Sequence, residues 1–259
     1  MTRTYVVTGA ASGIGRTTAE LLASRGHAVI GVDLHGADIT VDLSSAEGRA
    51  GLADAVSERA PDGLDGILAI AGLAHPIPAT VAVNYFGMVA TLENLRPLLA
   101  GSDAPRAAGV SSMASLMPND PELVDLMLGG DEPGSLARAE VLAADEQTGQ
   151  LIYGSTKVAF ARWIRRNAAT PDWAGASIPL NAVAPGIIRT PMTAEMIATP
   201  EATAQLLTMV PMPLNGVAEP IVVARLLAWL TGEENTHLCG QVVFVDGGSD
   251  VVIRGDSVW

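Results

Sequence analysis

The chain has 259 residues, of which 49% are hydrophobic, and a formal net charge of -13 at pH 7. This length is sufficient for one large core, and the acidic surface disfavours nucleic acid and anionic membranes as partners. Cys239 is the only cysteine, the four histidines are scattered, and no stretch has the length of a membrane span. We therefore expect a cytoplasmic protein without disulfide, metal or membrane anchor.

Short β-branched runs alternate along the chain with longer segments that carry apolar residues at helical spacing. Such alternation predicts a parallel sheet with helices on both faces. Seven strands are expected within residues 4–8, 27–32, 38–43, 67–71, 107–111, 178–183 and 241–245. Helices are expected within residues 13–26, 45–59, 83–100, 155–169 and 219–232. The fold class is a doubly wound α/β sheet, in a single domain over residues 1–259.

A glycine-rich bend joins the first strand to the first helix, with Gly9, Gly13 and Gly15 in VVTGAASGIGR. Glycines let the backbone N–H groups of such a bend approach a pyrophosphate at the positive end of the helix. Asp33 follows at the end of the second strand, where a carboxylate accepts hydrogen bonds from ribose hydroxyls and repels a 2′-phosphate. The bend therefore predicts a dinucleotide site for NAD rather than NADP.

Residues 113–152 interrupt the alternation of strands and helices. They indicate two short helices joined by a Gly-rich turn, and residues 119–149 carry eight acidic side chains against Arg138 alone. The charged run is interpreted as a solvated face. This helical insert precedes the segment YGSTK.

Lys157, the only lysine, lies four residues after Tyr153. In a helix the two side chains share one face, either as an ordinary surface pair or as a functional one. A tyrosine hydroxyl, with a reference pKa of about 10, accepts protons poorly unless a nearby cation stabilises the phenolate. A lysine ammonium can do so, whereas the planar arginine fork requires other partners. The spacing indicates a proton-transfer pair.

Together these motifs resemble the short-chain dehydrogenase/reductase family over nearly the whole chain. TGAASGIG at 8–15 is similar to the family's TGxxxGIG, and YGSTK at 153–157 to its YxxxK. The segments VSSMAS, VNYFG, NAVAPGIIRTPM and VDGG extend the likeness, whereas AIAG at 69–72 departs from the usual NNAG. The resemblance implies a Rossmann-type fold. The insert, VDLSSAEGR and VDGGSDVVIRG look like the 3α-hydroxysteroid dehydrogenase/carbonyl reductase branch.

The resemblance implies that Tyr153 is the general acid/base, while Lys157 lowers its pKa and holds the nicotinamide ribose. Ser112 would hydrogen-bond the substrate oxygen, although sequence spacing alone does not choose it over Ser111 or Ser115. Both proton transfer and substrate positioning would then depend on the end of one strand and one turn of the following helix.

Asn84 would anchor a water that links the lysine to solvent. The resemblance also implies a cofactor site for NAD formed by Gly9, Ser12, Gly13, Ile14, Gly15, Asp33, Asp42, Leu43, Ala71, Gly72, Tyr153, Lys157, Pro185, Ile188 and Thr190.

Residues 187–214 are expected to form a substrate lid rich in methionine, a residue that suits adaptable apolar surfaces. We therefore expect an NAD-dependent oxidoreductase that interconverts a secondary alcohol and a ketone on a bulky apolar substrate, a 3α-hydroxysteroid by the resemblance. The alternatives are an NAD-dependent dehydrogenase of an aromatic or terpenoid alcohol and a non-catalytic NAD(H)-binding sensor. The expected wall consists of Met192, Met196, Met209, Met212, Ile187, Ile197, Leu206, Leu207 and Val210.

Family members commonly pair through the helices that hold the asparagine and the tyrosine. Because the insert lies beside these helices, we expect it to obstruct that face. The chain is expected to form a homodimer or homotetramer, with a dimer through the last predicted helix (219–231) and the last strand (241–245).

Overall fold

The computed structural model describes residues 2–258, which are organised around one seven-stranded parallel sheet. The strands lie in the order β3-β2-β1-β4-β5-β6-β7, and every neighbouring pair is parallel. The predicted Rossmann-type α/β fold is therefore confirmed. The strands are β1 (Thr4–Thr8), β2 (Ala28–Asp33), β3 (Ile39–Thr40), β4 (Gly66–Ala69), β5 (Arg106–Val110), β6 (Leu180–Pro185) and β7 (Val242–Val245).

Helices cover both faces of the sheet, so the central strands β4, β5 and β6 are buried along their whole length. Within residues 2–258 the α-helices are α1 (Gly13–Ser24), α2 (Ala46–Arg59), α3 (Pro78–Val81), α4 (Met88–Leu95), α5 (Pro121–Leu128), α6 (Glu132–Ala143), α7 (Glu146–Asn167), α8 (Pro200–Met209), α9 (Pro220–Leu230) and α10 (Ser249–Arg254).

Helix α7 begins at Glu146, before both the apolar pattern over residues 155–169 and the YGSTK segment at 153–157 that the helix is expected to carry. The Asp145 side chain caps it by accepting hydrogen bonds from the backbone N–H groups of Gln147 and Thr148, at 3.0 Å each. This early start places Tyr153 inside the helix, where its backbone is held by regular hydrogen bonds on both sides.

The helix expected over residues 83–100 begins earlier and is irregular. It starts at Pro78, widens into a π-helical turn over Ala82–Gly87, continues as α4 and ends in a 3-10 turn over Arg96–Leu99. Proline is compatible with the first helical turn because its missing N–H needs no partner there. The π-helical turn contains Asn84, and such local widening is frequent at functional sites.

The insert forms α5 and α6, joined at Gly129 and Gly130, as the sequence indicates. Its acidic side chains lie mainly outward, but Leu123 and Met127 are fully buried against the rest of the molecule. Asp120 is also buried and receives hydrogen bonds from Arg138 Nε and Nη2, at 3.1 and 2.7 Å. The insert is therefore solvated on one side and docked on the other.

Gly109 of β5 gives a direct test of how closely α7 is packed on the sheet. A Cβ atom at this position would overlap the ring of Phe160, which is fully buried on α7. We expect Gly109→Ala to lower the free energy of unfolding by about 1–3 kcal/mol, as overpacking of a filled core does, in urea denaturation.

Gly51→Ala is the matched control, because Gly51 lies in α2 with open space around its Cβ position. Alanine should stabilise this helix by about 0.5–1 kcal/mol. Equal effects of the two substitutions would contradict the close contact between β5 and α7.

Candidate active site

A cavity of about 540 Å³ opens at the carboxyl ends of the parallel strands, where ligands bind in doubly wound sheets. All fifteen residues expected to contact the cofactor line it, and so does Ser112. The cavity extends from the glycine-rich bend after β1, past the end of β2, to the tyrosine and lysine of α7. The sheet topology thus brings together residues that lie up to 181 positions apart in sequence, from Gly9 to Thr190.

The glycine-rich bend has the shape that a pyrophosphate requires. Gly9 and Gly13 have φ angles of 71° and 52°, and a Cβ on Gly15 would overlap the Gly9 carbonyl oxygen. Ser12 precedes α1 without a side-chain cap, so the N–H groups of the first turn remain available where the helix borders the cavity. The residues present therefore fit a diphosphate at the positive end of α1.

Asp33 lies at the end of β2 and lines the cavity. Its carboxylate accepts hydrogen bonds from the backbone N–H groups of Ala11, at 2.9 Å, and Leu34, at 2.7 Å. These two bonds fix the carboxylate beside the glycine-rich bend. Asp42 is a second carboxylate of the cavity, and hydrogen bonds from the side chain and the backbone N–H of Ser44 lower its pKa.

Tyr153 and Lys157 both face the cavity from α7, one helical turn apart. The Lys157 Nζ atom is 5.5 Å from the centroid of the Tyr153 ring and donates a hydrogen bond of 3.1 Å to the carbonyl oxygen of Val110. The lysine side chain is only 4% exposed. Tyr153 and Lys157 are therefore not an exposed surface pair. The Val110 carbonyl at the end of β5 fixes the position of the Lys157 ammonium.

Burial changes the pKa values of both groups. It lowers the pKa of Lys157 to about 8, because removal from water disfavours the ammonium. It also raises the pKa of Tyr153, an effect opposed by a hydrogen bond with the Ser112 side chain. In the protein alone desolvation is the larger of these two effects on the tyrosine pKa. The expectation that Lys157 lowers this pKa stays a prediction.

The structure separates the three serines that sequence spacing leaves open. Ser112 Oγ accepts a hydrogen bond from Ala114 N–H at 3.1 Å, and its side chain lowers the pKa of Tyr153. Ser111 donates its hydroxyl to the carbonyl oxygen of Lys157 at 3.1 Å, which ties α7 to β5. Ser115 lies in the following 3-10 turn and is not among the residues that line the cavity. Ser112 has the geometry for contact with a substrate.

Asn84 is fully buried behind the cavity and does not line it. Its Oδ1 accepts from Leu73 N–H and its Nδ2 donates to the Leu73 carbonyl, both at 2.8 Å. Nδ2 also approaches Thr156 Oγ1 at 3.3 Å. The side chain thus joins the loop after β4 to α7, while its water-anchoring role stays a prediction.

Thr8 holds the segment in which the chain departs from NNAG. Its Oγ1 accepts hydrogen bonds from the backbone N–H groups of Ile70, at 2.9 Å, and Ala71, at 3.1 Å. The end of β1 is thereby fastened to the loop after β4. The sequence analysis did not assign this role to Thr8, because a threonine next to a glycine-rich bend has no distinctive spacing of its own.

The cavity has further lining residues that the sequence analysis did not single out. Most of them lie in the loops after strand ends, a position from which they could have been proposed. They are Leu34, Val41, Ser44, Ile70, Leu73, Ala79, Val83, Val110, Gly186, Pro191 and Thr193. Ser111 and Met192, which the sequence analysis did name, also line the cavity.

The expected lid divides into a buried part and an exposed part. Ile187, Ile197, Leu206 and Met212 form a small buried cluster, with Leu207 and Val210 packed against it. In contrast, Met192, Met196 and Met209 are 46%, 52% and 58% exposed. Only Met192 of the three lines the cavity. The lid therefore has its own small core, with mobile thioethers at its surface.

Residues 2–258 contain neither a candidate metal cluster nor a candidate membrane-spanning helix. No group of three or more His, Cys, Asp or Glu side chains in this part of the chain is arranged to hold a metal ion. Within the same residues, no helix combines the length and the apolar character that crossing a membrane requires.

Comparisons with known proteins agree with this geometry. A family model described as Enoyl-(Acyl carrier protein) reductase matches residues 9–250. The 3-alpha-hydroxysteroid dehydrogenase/carbonyl reductase of Comamonas testosteroni is 34% identical over 253 residues, which cover 96% of this chain and 97% of that protein. The cis-4-hydroxycyclohexanecarboxylate dehydrogenase of Sinomonas cyclohexanicum is 30% identical, with coverages of 96% and 97%.

Among solved structures, the 3-alpha-hydroxysteroid dehydrogenase of Pseudomonas sp. B-0831, complexed with NADH, superimposes with a TM-score of 0.86 at 40% identity. The match covers 98% of this chain and 99% of that one. With the glycine-rich bend, the tyrosine–lysine pair and these full-length matches together, the chain belongs to the short-chain dehydrogenase/reductase family of oxidoreductases.

Proposed function

We propose that this oxidoreductase interconverts a secondary alcohol and a ketone with NAD, on a bulky apolar substrate of the 3α-hydroxysteroid type. Tyr153, Lys157 and Ser112 share one cavity with the glycine-rich bend, and this arrangement carries the proposal. Two full-length relatives are named for oxidation of ring alcohols, one as a 3-alpha-hydroxysteroid dehydrogenase and one as a cis-4-hydroxycyclohexanecarboxylate dehydrogenase. Both substrates carry the hydroxyl on a six-membered carbocycle.

The side chains divide the work of moving one proton. Tyr153 gives a proton to the carbonyl oxygen during ketone reduction and takes it back during alcohol oxidation. Ser112 Oγ already accepts from Ala114 N–H, so its own O–H can donate to the substrate oxygen and fix its position. Lys157 holds positive charge within one helical turn of the phenol. A bound nicotinamide supplies the hydride exchange.

Asp33 supports NAD as the cofactor rather than NADP. Its fixed carboxylate lies beside the glycine-rich bend and would repel a 2′-phosphate, while it can accept hydrogen bonds from two ribose hydroxyls. The neighbouring positions offer no compensating cation, since residue 12 is serine and residue 34 is leucine. The related 3-alpha-hydroxysteroid dehydrogenase complexed with NADH is consistent with this choice.

The charges around the cavity favour a neutral substrate. Among the lining residues in the described part of the chain, Lys157 is the single cation, and it is buried with one hydrogen bond to the Val110 carbonyl. Arg189 of the lid region is paired with Glu219 at 3.0 Å. A carboxylate-bearing substrate would therefore meet only one lining cation, which the proposed chemistry already assigns to Tyr153, whereas an apolar ring would meet Met192, Val83 and Leu73.

A second candidate, a dehydrogenase of an aromatic or terpenoid alcohol, uses the same machinery and differs only at the lid. A third, a non-catalytic NAD(H)-binding sensor, is disfavoured because Tyr153, Lys157 and Ser112 together would be unnecessary for binding alone.

Assembly is also part of the proposal. We infer a dimer through α9 and β7, because Val222 and Trp229 of α9 are 43% and 42% exposed and β7 is an edge strand. The insert helices α5 and α6 pack against α7 and cover the alternative face.

A substrate panel tests the proposed function directly. Purified enzyme is mixed with NAD and either 3α-hydroxysteroids, cyclohexanols, terpenoid alcohols or aryl alcohols, and reduced-cofactor absorbance is followed. We expect oxidation of the steroid with the highest kcat/KM. Turnover of small aryl alcohols with no response to any steroid would contradict the substrate class, and NADH binding without any turnover would favour the sensor.

Tyr153→Phe removes the proposed proton donor and keeps the ring. We expect kcat to fall by about 10²–10⁴-fold, the usual contribution of general acid–base catalysis, with NADH binding retained in a fluorescence titration. Tyr85→Phe is the matched control, because Tyr85 is a buried tyrosine that does not line the cavity. Activity of Tyr153→Phe comparable to that of the control would exclude the assigned role.

Asp33→Asn removes the charge but keeps the size of the side chain. The ratio of kcat/KM with NAD to that with NADP should fall by about 10–100-fold, because charge-assisted hydrogen bonds to the ribose are lost and repulsion of the 2′-phosphate is relieved. Asp38→Asn serves as control, since Asp38 is a nearby exposed carboxylate outside the cavity that accepts from Gly31 N–H at 2.8 Å. An unchanged ratio would argue against Asp33 as the discriminating group.

Lys157 can be titrated selectively because the chain has no other lysine. With [¹³Cε]lysine, NMR should show one signal with a midpoint at pH of about 8 in the folded protein and near the ordinary 10.5 in the unfolded chain. Since the folded pKa is lowered, the charged form opposes folding below pH 8. The unfolding free energy relative to Lys157→Met should therefore rise between pH 8 and 10.5. A folded midpoint above pH 10 would refute the desolvated environment.

A further inference from the structure

The insert reaches the adenine end of the proposed cofactor cleft through one buried arginine. Arg49 of α2 is 7% exposed, and its Nη1 donates hydrogen bonds of 3.1 Å to the carbonyl oxygens of both Leu43 and Ser44. Its Nη2 donates to the two carboxylate oxygens of Glu132, at 2.7 and 2.6 Å. Glu132 is the first residue of α6, 83 positions further along the chain.

The two carbonyls belong to the loop that forms the cavity wall. Asp42, Leu43 and Ser44 all line the cavity, at the side reached by the end of β2. The loop has little freedom to rearrange, since a Cβ on Gly48 would overlap the Asp42 carbonyl and one on Gly87 would lie 3.0 Å from the Leu43 carbonyl. The Arg49 guanidinium, through its bonds to the Leu43 and Ser44 carbonyls, fixes the orientation of these two peptide groups of the loop.

The guanidinium in turn depends on Glu132. A buried cation with only two carbonyl partners carries an uncompensated charge, which is costly in a poorly solvated site. The Glu132 side chain is 27% exposed and Arg49's is 8% exposed, so the pair is screened much less than a surface ion pair. Asn94 adds a hydrogen bond of 2.9 Å to the Arg49 carbonyl and keeps α2 next to α4.

We propose that Arg49 is a positioning residue for the adenine half of the cofactor and that Glu132 of the insert holds it in place. The inference rests on the proposed use of NAD, and it gives the insert a role in cofactor affinity. The guanidinium orders the loop 42–44 before the adenosine binds. The conformational entropy that the loop loses on binding is therefore smaller, and the affinity is higher. Arginine suits this place because its planar fork serves a carboxylate and two carbonyls at once.

Glu132→Gln in the full-length protein tests the proposal. Calorimetric titration should show affinities for NADH and for ADP-ribose reduced by the same factor, roughly five- to tenfold, where tenfold corresponds to about 1.4 kcal/mol. Nicotinamide mononucleotide, which lacks the adenosine, should bind as it does to the wild type. In steady-state assays the KM for NAD should rise by a similar factor, with kcat and the KM for the alcohol within about twofold.

Glu140→Gln is the matched control, because it makes the same change of charge on the same helix. Glu140 is exposed, and the carboxylate paired with Arg49 is that of Glu132. It should bind all three ligands as the wild type does. A merely structural loosening of the insert would also disturb the alcohol KM, because α6 packs against α7, which carries Tyr153.

Wild-type affinity of a folded Glu132→Gln variant for ADP-ribose would overturn the proposal, as would equal losses for ADP-ribose and nicotinamide mononucleotide. If Glu132→Gln does not fold, Arg49→Lys provides the second test. Its ammonium keeps the charge but cannot form the hydrogen bonds to both carbonyls and the carboxylate that the arginine fork forms. It should show the same adenosine-specific loss, and unchanged ADP-ribose binding would refute the role. Failure of the wild type to bind NADH at all would instead overturn the proposed function.

Discussion

The ammonium of Lys157, buried against a carbonyl oxygen at the end of β5, is the interaction on which the rest of the site depends. A carboxylate partner would have kept the lysine pKa high and neutralised the field of the cation. The structure supplies the Val110 carbonyl instead, so the pKa falls to about 8 and the positive charge remains uncompensated within reach of Tyr153. Charge that is not neutralised locally is available to a phenolate when one forms.

The same strand end fixes the other participants. Val110 is followed directly by Ser111, whose hydroxyl donates to the Lys157 carbonyl, and by Ser112, which lines the cavity with Tyr153. Gly109 lets α7 approach β5 closely enough for these contacts. Tyrosine, lysine and serine are thus positioned by one strand and one helix, whose regular hydrogen bonds define their separations. The adenine side is different, because loops form its wall and need support from elsewhere in the chain.

Much of this could be predicted from the sequence, for a physical reason. Strand periodicity, the glycine-rich bend and the i,i+4 spacing of Tyr153 and Lys157 are local patterns, and the parallel sheet converts them into one site at its carboxyl edge. The π-helical turn at Asn84 could not be predicted, because the ordinary helical pattern continues through it. The direction of the tyrosine pKa shift was also beyond the sequence, since it is the difference between the effect of burial and that of a hydrogen bond with Ser112, and both depend on tertiary packing. The pair of Arg49 and Glu132 joins residues 83 positions apart, and neither has a distinctive neighbour.

The two ends of the cleft carry charges of opposite sign. Carboxylates of Asp33 and Asp42 border the adenosine side, and the lysine lies at the other side, near the apolar lid. On the proposed placement of the cofactor, a 2′-phosphate would meet the negative charge of these carboxylates, and the other side would offer one largely desolvated cation. Arg138 and Arg49 form ion pairs inside the fold, with Asp120 and Glu132, which join the insert to itself and to α2. Because these guanidinium groups are bonded within the fold, they add no positive charge to the lining of the cavity, where Asp33 and Asp42 face Lys157 alone.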